Sequence, residues 1–387
     1  MLKQRLQKHN NENTQNRKAE NMIQKLIDEL EIEHKLSKDQ WIYLLDNYTS
    51  DDRLYAENKA RALTLLKFGN KIYFRGIIEF TNICKNDCYY CGIRKSNTCI
   101  SRYRLTPEDI LECAKDGYAN GFRTFVLQGG EDGHFNDEIL CDIIKKIKNE
   151  FPDCAVTLSV GERSRESYQK LYDSGADRYL IRHEAASKRL YNEIHPSIQK
   201  HEERMRCLKD LKEIGYQTGC GFMVGVPHQT TEDIAEDMMF MQEFKPHMVG
   251  LGPFLPHKDT PFGNFHAGSV DLTLFLISLT RLMLPNVLLP STTALGTAKG
   301  DGRQLGVLAG CNVVMPNLSP SSVRKKYMLY DNIYFFLSPS SVRKKYMLYD
   351  NKAGTDLDAE TGIRLLRDQM TEIGYEVVCS RGDFNEK

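Results

Sequence analysis

Three cysteines, Cys84, Cys88 and Cys91, stand within one eight-residue stretch with the spacing C-x3-C-x2-C. Three thiolates this close can each take one iron of a cubane cluster and leave the fourth iron open, much as a catalytic metal keeps an unoccupied position. A structural zinc site needs four ligands, often as two separated pairs; Cys99 could be a fourth, but the gap Cys91-x7-Cys99 matches no common zinc spacing. Further along, Gln128-Gly129-Gly130-Glu131 combines two glycines, which let backbone approach a ligand closely, with a carboxylate acceptor. Ser159, Glu162, Arg182 and Glu184 add a hydroxyl, two carboxylates and a guanidinium. Such a set can surround a zwitterion, Arg being suited to bidentate carboxylate recognition. The same charges could instead form a buried ion-pair layer. His183, beside Arg182, should point the opposite way on a strand and reads as a packing histidine.

The elements that must position these residues are legible as β-rich runs alternating with amphipathic helices. The runs span residues 72–80, 123–128, 155–160, 178–184, 219–226, 248–254, 287–293 and 312–316. Between them, Thr106-Pro107-Glu108-Asp109 and Thr230-Thr231-Glu232-Asp233 place a Thr cap three positions before an acid that can reach back. Met205, Leu208, Leu211 and Ile214 share a helical face, as do Ile234, Met238 and Met241. Eight strand-helix units predict an α/β fold in which a parallel sheet closes into a complete (βα)8 TIM barrel. The competing open doubly wound sheet lacks its G-x-G-x-x-G after the first strand. A barrel puts its active site at the C-terminal ends of the strands. Here those ends carry the cysteines, the Gly-Gly-Glu turn and most of the polar residues, whereas the opposite junctions carry helix-capping glycines such as Gly121, Gly175 and Gly215.

Composition narrows the function. Among 387 residues, 52 Lys and Arg balance 52 Asp and Glu, without charge blocks, so a nucleic-acid partner has no electrostatic support. The longest apolar stretch, Leu272 to Pro285, is interrupted by Arg281 and falls short of the roughly 20 residues of a membrane span. Eleven cysteines without regular spacing or a signal peptide argue for reduced thiols in a cytoplasmic, reducing compartment. The basic, polar residues 1–21 read as a disordered tail, with an organellar transit peptide as the minor alternative. Residues 22–71 read as a helical preface with Ser37 as an N-cap, 72–317 as the barrel, and 318–387 as a C-terminal appendage. Cys113, Cys141, Cys207 and Cys220 fall inside expected helices or strands, where a small buried hydrophobe is the default.

The triad resembles the signature of the radical S-adenosylmethionine (SAM) superfamily, with the aromatic Tyr90 before the last cysteine. From Tyr73 to about Asn332, segments such as RGIIEFTNICKNDCYYCGIRKSN, VLQGGED, AVTLSVGE, GFMVGVPHQT and STTALGT resemble the HydE family, the radical-SAM maturases of FeFe-hydrogenase. The resemblance implies that Cys84, Cys88 and Cys91 hold a [4Fe-4S] cluster. It implies that Tyr90, Gln128, Gly129, Gly130, Glu131, Ser159, Glu162, Glu184 and Arg204 line the SAM site. It further implies that Arg75, Arg182, Thr292, Thr293, Met315 and Tyr327 face a small organometallic substrate. The reaction implied is reductive cleavage of SAM to a 5'-deoxyadenosyl radical that attacks an iron-carbonyl-cyanide precursor, with partner maturases and an electron donor. Some members carry three further cysteines near the C-terminus; only Cys379 lies beyond Cys311 here, so no second cluster is expected. A biotin synthase-like or methylornithine synthase-like enzyme and a non-catalytic iron-sulfur carrier are the alternatives.

One feature lies outside the family pattern. LSPSSVRKKYMLYDN occurs twice, at Leu318 to Asn332 and Leu337 to Asn351. Two copies do not make a solenoid. Tyr346 therefore competes with Tyr327 for one position, and the first copy, a short distance past Met315, is expected to take it.

Overall fold

The computed structural model describes residues 22–331 and 359–385; the second copy of the repeat lies outside them. The expected strands are present, but three of the eight are interrupted. The first run is split at Arg75 into β1 (Lys71–Phe74) and β2 (Gly76–Thr81), followed by β3 (Thr124–Gly129), β4 (Ala155–Ser159) and β5 (Arg178–Leu180). The fifth run gives β6 (Gln217–Cys220) and β7 (Met223–Val224), and the sixth β8 (Met248–Val249) and β9 (Gly252–Pro253). β10 (Pro290–Ser291), β11 (Val313–Val314) and a C-terminal β12 (Glu376–Val378) complete the set.

The breaks at Gly221 and Gly250 have a steric cause. Gly221 adopts φ +142, and a Cβ there would sit 2.1 Å from the Gly250 carbonyl oxygen, so the two strands touch through bare backbone. All named pairings are parallel. One sheet runs β2-β3-β4-β5-β6-β8, a second β10-β11-β1-β12, and β7 pairs with β9. Isolated parallel bridges pair Ile77 with Asn317, three residues past β11, and Met248 with Leu288, two residues before β10, at the two edge strands of the first sheet. The result is a TIM-barrel-like α/β fold.

The helices form where capping chemistry predicts. Ser37, Thr106 and Thr230 each make a reciprocal capping box with the residue three positions on. Gly121, Gly175 and Gly215 take positive φ just past helix ends. The preface is a helix over 22–33, then Lys38–Asn47 and Ser50–Phe68, packed on the barrel through Trp41, Leu44, Ala56 and Ala60. No helix among the described residues is long and apolar enough to cross a membrane. Arg281, which interrupts the apolar helix Val270–Met283, is fully buried and donates to the carbonyls of Gly310, Pro285 and Val287. Its guanidinium thus ties a helix end to the following strand.

The segment after β12 folds under the barrel. Arg178, fully buried near the start of β5, donates to Thr124 Oγ1, Gln217 Oε1, the carbonyls of Arg381 and Gly382, and Asp383 at 2.6 Å. Phe384 packs with Met248, Leu288 and Val313. Residues 380–385 therefore plug the end opposite the cysteines.

Candidate functional site

The cavity at the C-terminal strand ends has a volume of about 330 Å³ and gathers nearly every residue singled out above. Cys84, Cys88, Cys91 and Tyr90 line one wall, and Gln128, Gly129, Gly130, Glu131 and Ser159 the next. Arg182, Glu184 and Arg204 form a charged wall, while Thr292, Thr293, Met315 and Tyr327 lie across from it. Glu162 is not itself in the lining but accepts from Arg204 Nε at 2.6 Å and faces an adjoining cleft with Lys85 and Glu131.

Arg75 is a correction. It sits at the break between β1 and β2, is 3% exposed, and donates to Met248 Sδ at 2.9 Å and the Gly382 carbonyl at 3.3 Å. These partners belong to the layer beneath the cavity, so Arg75 does not line it. The family resemblance implied a place facing the substrate, whereas this side chain leaves the chain at the break between β1 and β2. Burial, then the nearby Arg178 charge, pushes its pKa well below the ordinary value for arginine.

The triad loop is held from several sides. Arg102 donates to the carbonyls of Asn82, Ile93, Arg94 and Asn97, so one guanidinium fixes a turn that has no regular secondary structure. The Gly-Gly-Glu turn is bonded to the loop reciprocally: Lys85 N donates to the Glu131 carbonyl at 2.9 Å, and Glu131 N to Cys84 Sγ at 3.4 Å. Gly130 is required by this contact, since a Cβ would meet the Ile83 carbonyl at 2.2 Å. The small residue serves loop packing here, where sequence alone suggested ligand approach. Gly92 is equally confined, by Met328 and His257, and its N–H donates to the Leu329 carbonyl at 2.8 Å. The first copy of the repeat is thus built into the wall, with Tyr327 buried beside Gln128 and Glu79.

The electrostatics of the thiols are telling. Burial pushes Cys88 up to about 12 and raises Cys84 and Cys91 above the ordinary thiol value. A thiolate at any of them needs a positive charge that the chain does not supply in excess, and an iron cluster provides one. Among the described residues no three His, Cys, Asp or Glu converge on a single ion, whereas a cubane presents three separate irons. The donor set therefore fits a cluster.

The opposite wall has unspent polar capacity. Glu184 has φ +63, a strained conformation for a non-glycine residue; its Oε1 pairs with Arg182 at 3.0 Å and its buried Oε2 has no hydrogen-bond partner. Thr292 precedes the helix Thr293–Ala298 without capping it through its side chain, and its buried Oγ1 is also unpartnered. His183 faces away as expected: it accepts from Gly221 N through Nδ1, and its Nε2 lies 3.2 Å from the buried Asp237.

Three contributors escaped the sequence reading. Glu79, fully buried on β2, lines the cavity and accepts from Asn317 at 2.7 Å; a lone acid inside the apolar run RGIIEFT was its signal. His195 accepts the Tyr90 hydroxyl at 3.0 Å through Nε2, because its Nδ1–H is committed to the Tyr191 carbonyl. Gln199 contacts Cys88. Both lie in the short connection HPSIQ, which has no periodicity to flag them.

Residues 78–241 match the Radical SAM superfamily. The [FeFe] hydrogenase maturase subunit HydE of Thermotoga maritima is 47% identical over 262 residues, covering 68% of this chain and 74% of the relative. A 3-methylornithine synthase of Methanosarcina barkeri is 30% identical over 72% of this chain and 78% of its own. In structure, the chain is similar to methylornithine synthase (PylB), with a TM-score of 0.75 at 24% identity over 91% of this chain and 97% of that one. A thiol loop, a Gly-Gly-Glu turn and a carboxylate with one oxygen unbonded share one cavity, and nearly half the aligned residues are identical to the Thermotoga subunit. The chain belongs to the HydE family of radical SAM enzymes.

Proposed function

We propose that this enzyme acts in assembly of the [FeFe]-hydrogenase active site, on a small iron-carbonyl-cyanide complex held in the barrel. The observation that carries the reading is the single cavity joining the thiols, the carboxylate wall and the hydroxyl-bearing wall across from it. On this reading Cys84, Cys88 and Cys91 hold a [4Fe-4S] cluster, and Tyr90, Gln128, Gly129, Gly130, Glu131, Ser159, Glu162, Glu184 and Arg204 bind SAM. When bound, the cluster and SAM together supply a 5'-deoxyadenosyl radical on one-electron reduction. Glu131 and Glu184 offer acceptors to an amino group, and Arg204, held by Glu162 and the Arg182 carbonyl, keeps that wall in place. Arg182, Thr292 and Thr293 offer donors to an anionic complex, and Met315 and Tyr327 shape its pocket.

The same reading takes the eight runs as one complete (βα)8 barrel, 22–71 as its preface and 318–387 as its appendage. It places the enzyme in a reducing compartment, since all eleven cysteines are free, and gives it no second cluster. It gives the first repeat copy the native role, so Tyr327→Phe should impair maturation while Tyr346→Phe leaves it unchanged.

Anaerobic reconstitution should give about four irons per chain and reductive cleavage of SAM to 5'-deoxyadenosine. Adding the protein to a hydrogenase maturation assay should then yield active hydrogenase. A cluster without cleavage would instead indicate a carrier, and turnover of lysine or dethiobiotin would indicate the methylornithine or biotin synthase chemistry.

A further inference from the structure

The connection between helices Lys188–Ile194 and His201–Ile214 reaches the triad loop at three consecutive residues. Tyr89 N donates to the Ile194 carbonyl at 3.1 Å, the Tyr90 hydroxyl meets His195 Nε2 at 3.0 Å, and the Gln199 amide lies on Cys88 Sγ. Gln199 is 6% exposed, and its backbone N–H closes a turn onto the Pro196 carbonyl at 2.9 Å, so its side chain is delivered from a fixed stem. Its Nε2 is 3.4 Å from the sulfur and its Oε1 3.5 Å. A cysteine that ligates iron has no S–H to donate, so only the bond from the amide N–H to sulfur survives in the loaded protein. Cys84 and Cys91 differ, because their donors are backbone N–H groups from Glu131 and around Ile93. Cys88 is instead met by side chains, Gln199 and Tyr90, and of these Gln199 lies outside the triad loop and can be substituted without altering it.

We propose that Gln199 is a positioning residue that sets the reduction potential of the cluster by donating an N–H···S hydrogen bond to Cys88. The inference rests on the reading that the triad holds that cluster. One electron from the reductant adds negative charge to the iron-sulfur core without making or breaking a bond. A donor on a ligand sulfur stabilises that charge and raises the potential. Without it, the reduced form is harder to reach.

The test is an EPR-monitored redox titration, with titanium(III) citrate, of the anaerobically reconstituted full chain and of Gln199→Met and Gln199→Glu. Methionine keeps the volume and removes the donor; glutamate turns an acceptor toward the sulfur. With solution poised at the wild-type midpoint, the ratio of reduced to oxidised cluster should fall about tenfold in Gln199→Met, equivalent to about 59 mV for one electron, and further in Gln199→Glu. A Gln199→Met protein with a full cluster and an unchanged ratio overturns the inference. Wild-type protein that takes up no cluster overturns the underlying reading instead. Should the variants fail to load, wild-type protein carrying 15N-labelled glutamine decides by pulsed EPR: hyperfine coupling from a glutamine side-chain nitrogen supports the contact, and its absence rules it out.

Discussion

The two ends of this barrel bury charge in opposite ways. At the bottom, Arg178 is fully enclosed, yet each of its nitrogens has an acceptor, supplied largely by residues 381–383. At the top, Glu184 Oε2 and Thr292 Oγ1 are just as enclosed by protein and have nothing to bond, and three thiols lie where burial disfavours their charged form. Both arrangements cost desolvation. At Arg178 that cost is recovered within the chain. The top is incomplete as folded, which is what a binding site requires.

The sharpest way to break this contrast is to remove a thiol. Cys91→Ala should abolish iron loading and drop SAM cleavage to background, measured as 5'-deoxyadenosine, while the fold persists because Arg102 still holds the loop carbonyls. A variant that kept cleavage would refute the division of labour. The mirror experiment is Arg178→Met, which removes the bonds from one buried guanidinium to Thr124, Gln217, Asp383 and two tail carbonyls, while Asp383 keeps Arg381. Losing hydrogen bonds that involve a charged group costs about 1.5–3 kcal/mol, so the urea midpoint should fall while cleavage per bound cluster holds. Lost cleavage at unchanged stability would place Arg178 in the site.

The same contrast explains what was legible beforehand. The triad, the Gly-Gly-Glu turn and the carboxylates at the strand ends are local patterns whose spacing reflects their chemistry, and one cavity does collect them. The interruptions at Arg75, Gly221 and Gly250 were not legible, because they depend on which backbone passes alongside in three dimensions. Arg75, which the family resemblance turned toward the substrate, is absent from the cavity lining and bonds to Met248 and Gly382. The plug was invisible for a related reason. Arg178 and Asp383 are more than 200 positions apart, and β12 is three residues long. The His195 and Gln199 contacts come from a loop, where neither the helical nor the strand period marks a residue as inward-facing.

A milder test titrates the boundary between the regions. Burial, reinforced by Arg204, holds His195 down to about 3, whereas an unfolded histidine titrates near 6.5. Its folded value being depressed, the unfolded chain takes up the proton first, so stability is full above about pH 6.5 and declines as pH falls toward 3. Between pH 7 and 5.5 this should cost about 1 kcal/mol in the cluster-free protein, read from urea midpoints. His195→Gln should show a slope shallower by that amount; equal slopes would mean that the histidine is protonated in place.

The smallest expected effect is at Cys99, and it tests where the top region ends. Cys99 lies eight positions after Cys91, yet it is exposed and does not line the cavity. A thiol already in water loses no buried contact on becoming a hydroxyl, so Cys99→Ser should change stability by less than about 0.5 kcal/mol. Iron content and cleavage should match the wild type, since a cluster that keeps one iron open for SAM calls for three protein thiolates, and three already share the cavity wall. Loss of iron in Cys99→Ser would make it a fourth ligand, leave no iron open, and turn the site from a catalytic one into a closed one.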